Sequence, residues 1–321
     1  MAASGIQFPM RFLIAPLLLL PVLAAAQVTP NKLYNGTKRP FAVKVSAPYG
    51  SAKVTLQILA PVTGKVIEEA ETKPGRQDLS KLFPKLWENA KPTVVYLQAT
   101  ADGRKVGPAV VLQPMTNPTI SRLAADGKTV EFVPDEDQAF AGYRAYVDQH
   151  LILDTSEGVM EFRMRPDCAP NTAFQIREFT KGGLYENTIF HRVVAKRADG
   201  SPFVIQGGDP AGTGNGGPGF AYPLEKSALP HDFGVISIAR STDPNTNGCQ
   251  LFVALSREGT KHLDSRYASF GELLRGKEAV LKIAAVPVGK EDRPNDPPKI
   301  FRARLVNAPP YGTGPVPQKR G

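Results

Sequence analysis

Two cysteines, Cys168 and Cys249, are all that this chain of 321 residues contains, and they stand 81 positions apart. That is too few for a disulfide framework, and the absence of any CxxC pair removes the usual redox and zinc signatures. Two separate buried thiols are expected. The four histidines, His150, His191, His231 and His262, form no HxxxH or HExxH spacing, so no metal and no other cofactor is expected. No GxSxG offers a serine nucleophile. Cys249 adjoins Gln250 without a protease signature and reads as a small residue packed under a groove. Basic residues outnumber acidic ones to a formal charge of +9, but they are scattered, without zinc-finger or basic-zipper spacing, which argues against a nucleic-acid partner.

Long hydrophobic runs are scarce as well. Phe12 to Ala26 is apolar for 15 residues and contains Pro16 and Pro21, short of the 18 or more that a spanning helix needs. With Arg11 before it and Ala24, Ala25 and Ala26 before Gln27, residues 1–26 read as a secretory signal peptide. A secreted or periplasmic protein is expected, with no stable membrane insertion after cleavage. The cleaved chain would keep a charge of +8, since Arg11 is the only charged residue removed.

Beyond the leader, residues 28–115 alternate as short strands: FAVKVSAP, VTLQIL, GKVIEEAET, TVVYLQAT and KVGPAVVLQP. Leu79, Leu82, Phe83, Leu86 and Trp87 have helical spacing, interrupted by Pro84. This pattern predicts a small β-sandwich of the immunoglobulin or fibronectin sort, without a catalytic constellation. Binding of another protein or an envelope component is its expected role. Residues 116–139 read as a connector with one strand at KTVEFV. A second domain is predicted from 140 to 308, with a hairpin through Gly158, helices in CAPNTAFQIREFTKGG and GKEAVLKIAA, and further strands ending at KIFRARLV. Many strands with two separated helices predict a closed antiparallel barrel. The Pro- and Gly-rich tail, 309–321, is expected to be disordered.

Within IFHRVVAKRADGSPFVIQGGD, alternation puts Phe190, Arg192 and Val194 on one strand face and Val204 with Gln206 on another. An arginine interrupting an apolar face must be paired or face a wet groove, and a Gln oxygen is one acceptor that could hold it. Gly212, Gly214 and Gly217 spell GxGxxG, but Pro218 and Pro223 follow where a nucleotide fold would need a helix. A glycine-rich loop lining a groove fits better.

The ordered blocks FHRVV, FVIQGGDP, GTGNGGPG, FGVISIAR, PNTNGCQLFV and HLDSRYASFG resemble the cyclophilin-type peptidyl-prolyl isomerases over roughly residues 140–308. The resemblance implies an eight-stranded barrel with two helices and an external substrate groove that takes proline-containing polypeptides. It also implies roles. Arg192 matches the catalytic arginine and Gln206 its orienting partner. Phe203, Val204, Phe252, Leu263 and Tyr267 match the proline pocket. Ala239 and Arg240 match the strand whose backbone holds the peptide, Gln250 the groove glutamine, and Gly214 the loop beside the pocket. His262 stands where members that bind ciclosporin well have Trp. Ala195 to Pro202 carry an insertion of about six residues, expected to be a solvated loop that tunes selection more than catalysis. The implied activity is Xaa-Pro isomerisation assisting the folding of exported proteins; a non-catalytic module holding Xaa-Pro segments of a partner is the alternative.

Overall fold

The computed structural model describes residues 27–88, 91–134 and 139–320. The predicted signal peptide lies outside the described residues. Two β-rich units follow one another. In the first, a three-stranded sheet of Gln27–Pro30, Ala42–Ser46 and Gly75–Asp78 faces a six-stranded sheet built around Val54–Leu59, Val95–Ala101 and Arg104–Pro114. Alternating Val28, Phe41, Val43 and Val45 meet Leu56, Ile58, Leu97 and Leu112 between the sheets, as the sandwich pattern requires. Pro84 splits the short helical run into Leu79–Leu82 and a 3-10 turn, Pro84–Trp87.

The division between the units differs from the sequence expectation. Strand Gly142–Val147 belongs to the first unit: it lies antiparallel between Arg104–Pro114 and Tyr34–Gly36. Gly142 is the reason the pairing can be so close. Its φ is +127°, and a Cβ there would meet the Asn35 carbonyl oxygen at 2.0 Å. The connector is also more structured than expected, because Ile120–Leu123 pairs with Val130–Val133 as a hairpin. The tail is not disordered: Tyr311 packs on Tyr96 with ring centroids 4.4 Å apart and donates its N–H to the buried Gln98 Oε1, while Gln318 N–H donates to the Leu273 carbonyl. That aromatic contact and these hydrogen bonds, with Lys105 Nζ donating to the Tyr311 carbonyl and Lys277 N–H to Gln318 Oε1, act against the ordering entropy of a Pro- and Gly-rich segment.

In the second unit a nine-stranded antiparallel sheet begins with Thr188–Ile189 and ends with Arg192–Val194. Those two strands are neighbours in the chain, so the sheet curls until its edges meet and forms a barrel, with one of the eight expected strands broken at Phe190 and His191. The break corrects the expected alternation. Phe190 is fully buried in the barrel core with Val193 and Ile205, whereas Arg192 pairs across from Gln206 on the outer face. The predicted helices are Pro170–Lys181 and Lys277–Ala284. The first has no side-chain cap of its own; the Glu225 carboxylate accepts from the Asn171 and Thr172 N–H groups at 2.9 and 2.7 Å, supplying acceptors and negative charge at the helix start.

Candidate active site

Strands Arg192–Val194, Val204–Gly207 and Leu251–Ala254 run side by side, so that Arg192 is opposite Gln206 and Gln206 is opposite Phe252. Because side chains alternate along a strand, these three project from the same outer face while Val193, Ile205 and Val253 fill the core. A cavity of about 130 Å³ opens there, lined by Arg192, Phe203, Val204, Gln206, Ala239, Arg240, Phe252, Leu263 and Tyr267. Its floor is apolar: Val204, Phe252 and Leu263 are buried and pack together, and Tyr267 meets Phe252 edge-on at 5.7 Å. Arg192 and Arg240 are the two cations that line it.

The expected pairing of Arg192 with Gln206 is not among the hydrogen bonds of the described residues. Arg192 Nη2 instead donates to Asp292 Oδ2 at 3.3 Å, and both side chains are about two-fifths exposed. Gln206 Nε2 donates to Gln250 Oε1 at 3.1 Å, and Gln250 Nε2 in turn donates to the carbonyls of Gly214 and Gly216. Gln250 and Gly214 thus stand beside the cavity as a polar relay, not in its lining. His262 is also outside it, exposed and stacked on Phe203 with centroids 5.8 Å apart. The inserted loop is less free than expected of a solvated excursion: Arg197 Nη1 donates to the Gly259 carbonyl, and its guanidinium lies 5.5 Å from the Phe203 ring.

Three supporting residues escaped sequence reasoning. Asp209 is fully buried, and its carboxylate accepts from the N–H groups of Ala211, Thr213, Gly214 and Gly216 at 2.6 to 3.1 Å. Burial acts to raise its pKa, but these donors hold the carboxyl below the usual range. This explains the glycine-rich spacing: a Cβ on Gly216 would lie 1.9 Å from Asp209 Oδ1. His231 is the second. Its fully buried ring stacks on Phe252 behind the pocket, with Nδ1 3.0 Å from Asp264 Oδ1 and Nε2 3.1 Å from Ser237 Oγ. Burial lowers its pKa against the pull of Asp264, so the ring is neutral at pH 7. Asp292 is the third; with Glu291 it adopts a φ of +59°, turning the segment toward Arg192. The GGDP and GTGNGG spacing is the one local signal from which Asp209 could have been found, whereas nothing local marks His231 or Asp292.

Comparison with known proteins decides the family. The family model described as cyclophilin type peptidyl-prolyl cis-trans isomerase/CLD matches residues 150–305. A peptidyl-prolyl cis-trans isomerase-like 1 of Gibberella zeae is 34% identical over 162 residues, 49% of this chain and 94% of that protein. The chain belongs to the cyclophilin-type peptidyl-prolyl isomerases. Another isomerase-like 1, from Emericella nidulans, is 37% identical over 163 residues, 49% of this chain and 95% of that one. A crystal structure of a Cryptosporidium parvum cyclophilin, determined in the presence of the dipeptide Ala-Pro, shares 32% identity across 50% of this chain and 100% of that chain, with a TM-score of 0.45. The family match leaves the strands from Gln27 to Val147 of this cyclophilin outside it.

Both cysteines of the cyclophilin are free and buried, and burial raises both thiol pKa values, to about 12 for Cys168 and about 11 for Cys249. Neither thiol is poised as a nucleophile. Among the described residues no group of three or more His, Cys, Asp or Glu side chains could hold a metal ion.

Proposed function

We propose that this cyclophilin rotates Xaa-Pro bonds of exported polypeptides and so assists their folding in a periplasmic or extracellular space, with Arg192 as the catalytic residue and Gln206 positioning it. The observation that carries the reading is the Arg192 guanidinium beside a cavity the size of one side chain whose floor, Val204, Phe252 and Leu263, is apolar. Amide resonance opposes rotation by about 18–20 kcal/mol. As the bond twists, the prolyl nitrogen becomes pyramidal and regains a lone pair. A guanidinium N–H aimed at that lone pair stabilises the twisted state more than the planar one, which is the condition for acceleration. Phe203, Val204, Phe252, Leu263 and Tyr267 hold the ring while backbone at Ala239 and Arg240 holds the chain before it. The Arg192 pair with Asp292 is exposed enough to exchange readily for substrate. With Nε2 given to Gln250, Gln206 retains its Oε1 to accept from the guanidinium. Rotation needs no covalent intermediate.

Export is supported by the leader pattern of residues 1–26. For the first unit we assign partner binding, supported by edge strand Val66–Thr72, where Val66 and Ile67 are exposed. Exchange NMR on a short Xaa-Pro peptide tests the catalytic assignment: cis and trans signals should broaden at substoichiometric protein. Unbroadened signals despite bound peptide would favour the non-catalytic binding module. Mass determination of protein recovered outside the cytoplasm should find Gln27 at the N-terminus; an intact leader in a cytoplasmic fraction would defeat the export assignment.

A further inference from the structure

The hairpin Ile120–Leu123 and Val130–Val133 lies outside the family match, yet it is built against the catalytic unit. Ser121 Oγ donates to Asn245 Oδ1 at 2.6 Å, and Asn245 Nδ2 donates back to the Ser121 carbonyl at 2.9 Å. Arg266 Nη2 donates to the Lys128 carbonyl, and Val130 and Phe132 pack on the barrel core. The hairpin therefore walls a second, open trench of about 460 Å³ whose lining includes Leu123, Lys128, Arg240, Thr242, Arg266 and Tyr267. Arg240 and Tyr267 also line the proline cavity, so the two spaces are continuous.

Charge gives the trench its chemistry. Lys128, Arg240 and Arg266 all border it, and none has a carboxylate within 4 Å among the ion pairs of the described residues. Arg240 is held by carbonyls: Nε and Nη2 donate to the Arg266 oxygen and Nη1 to those of Ser241 and Thr242. Its guanidinium sits 4.7 Å from the Tyr267 ring centroid. A guanidinium has five N–H groups, so Arg240 is fixed in place with one still uncommitted. Two acids stand nearby without forming an ion pair with the cluster: Asp126, whose carboxylate accepts from Lys128 N, Thr129 N and Thr129 Oγ1, is within electrostatic reach of Arg266, and Asp243, which accepts from Asn245 N, is within reach of Arg240, so the two offset part of the positive charge.

We infer that this trench is a subsite for an acidic side chain flanking the substrate proline, so that the enzyme prefers Xaa-Pro segments with Asp or Glu close by. The inference rests on the isomerase reading of the adjoining cavity. Partly exposed pairs are weak and here are offset by the nearby acids, so two or three cations together should favour Glu over Gln by about threefold to tenfold at low salt, or about 0.7–1.4 kcal/mol in all. The test uses the full mature chain and proline peptides carrying Glu, Gln or Lys at each of the two positions before and after the proline. Turnover is read by exchange NMR and affinity by chemical-shift titration. Glu should exceed Gln on one flank, Lys should be worst there, and 0.5 M NaCl should shrink the difference. Lys128→Gln should bring the Glu-to-Gln ratio toward one. Equal Glu and Gln values at all four positions, or a Glu preference that Lys128→Gln leaves intact, would overturn the subsite. Turnover of the Gln peptide reports separately on the isomerase reading: its absence would defeat that reading, while the affinity ratio would still judge the trench.

Discussion

Replacing Arg192 by lysine separates a catalytic arginine from a structural one. The only ion pair Arg192 makes among the described residues is with Asp292 at 3.3 Å, and the side chains are 41% and 43% exposed. Such a pair contributes about 0–1 kcal/mol, which in a domain of this size moves the melting temperature by at most about 2–4 °C. A charge-assisted bond made chiefly in the twisted state is worth about 1.5–3 kcal/mol, or roughly 10- to 150-fold in rate. Lysine keeps the charge but loses the planar fork needed to face the prolyl nitrogen and Gln206 together. The expected result is turnover down at least about tenfold, with Xaa-Pro peptide affinity and melting temperature close to wild type. All three are measured on one preparation, by exchange NMR, titration and thermal denaturation. Undiminished turnover in a folded Arg192→Lys protein would remove Arg192 from the mechanism.

Three further expectations concern the scaffold. Asp209→Asn removes the charge that four loop N–H groups surround and should destabilise by about 1.5–3 kcal/mol in denaturant at pH 7. Because the folded pKa of Asp209 is depressed, its stabilisation is present above the unfolded value near 3.9 and is lost as pH falls through the folded one; a deficit that persists unchanged in strong acid would contradict this origin. Asp148 behaves oppositely, since burial pushes its carboxyl up to about 7. Its contribution is full below about 3.9 and lost as pH rises through about 7, so Asp148→Asn should raise the melting temperature at pH 8 and leave it nearly unchanged at pH 4; a pH-independent difference would refute the assignment. Finally, truncation at residue 116 should yield an aggregation-prone fragment, because Tyr143, Ala145 and Tyr146 of strand Gly142–Val147 lose their partner strands, whereas a chain starting at Asp148 should keep measurable turnover on short peptides. Light scattering and exchange NMR on the two fragments decide it.

Local pattern determined much of this protein. Period-two alternation marked most strands in both units, helical spacing marked Pro170–Lys181 and Lys277–Ala284, and Pro84 marked the break in Leu79–Trp87. These features depend on neighbours a few residues away, which is why they can be read along the chain. Ordered family motifs also located Arg192, Phe203, Gln206, Phe252 and Tyr267, which the fold gathers at one cavity. What sequence left undecided depends on residues far apart. Gly142–Val147 looked like the start of the catalytic unit, and only pairing with Tyr34–Gly36 assigns it to the sandwich. Arg192 is separated from Asp292 by 100 positions, and Ser121 from Asn245 by 124, so neither contact has a local signature. Tyr311 in a tail of Pro and Gly becomes ordered because Tyr96 and Gln98 of the first unit are waiting for it. Propensity acts within a few residues, whereas burial and hydrogen-bond satisfaction act between surfaces that meet only once the chain has folded.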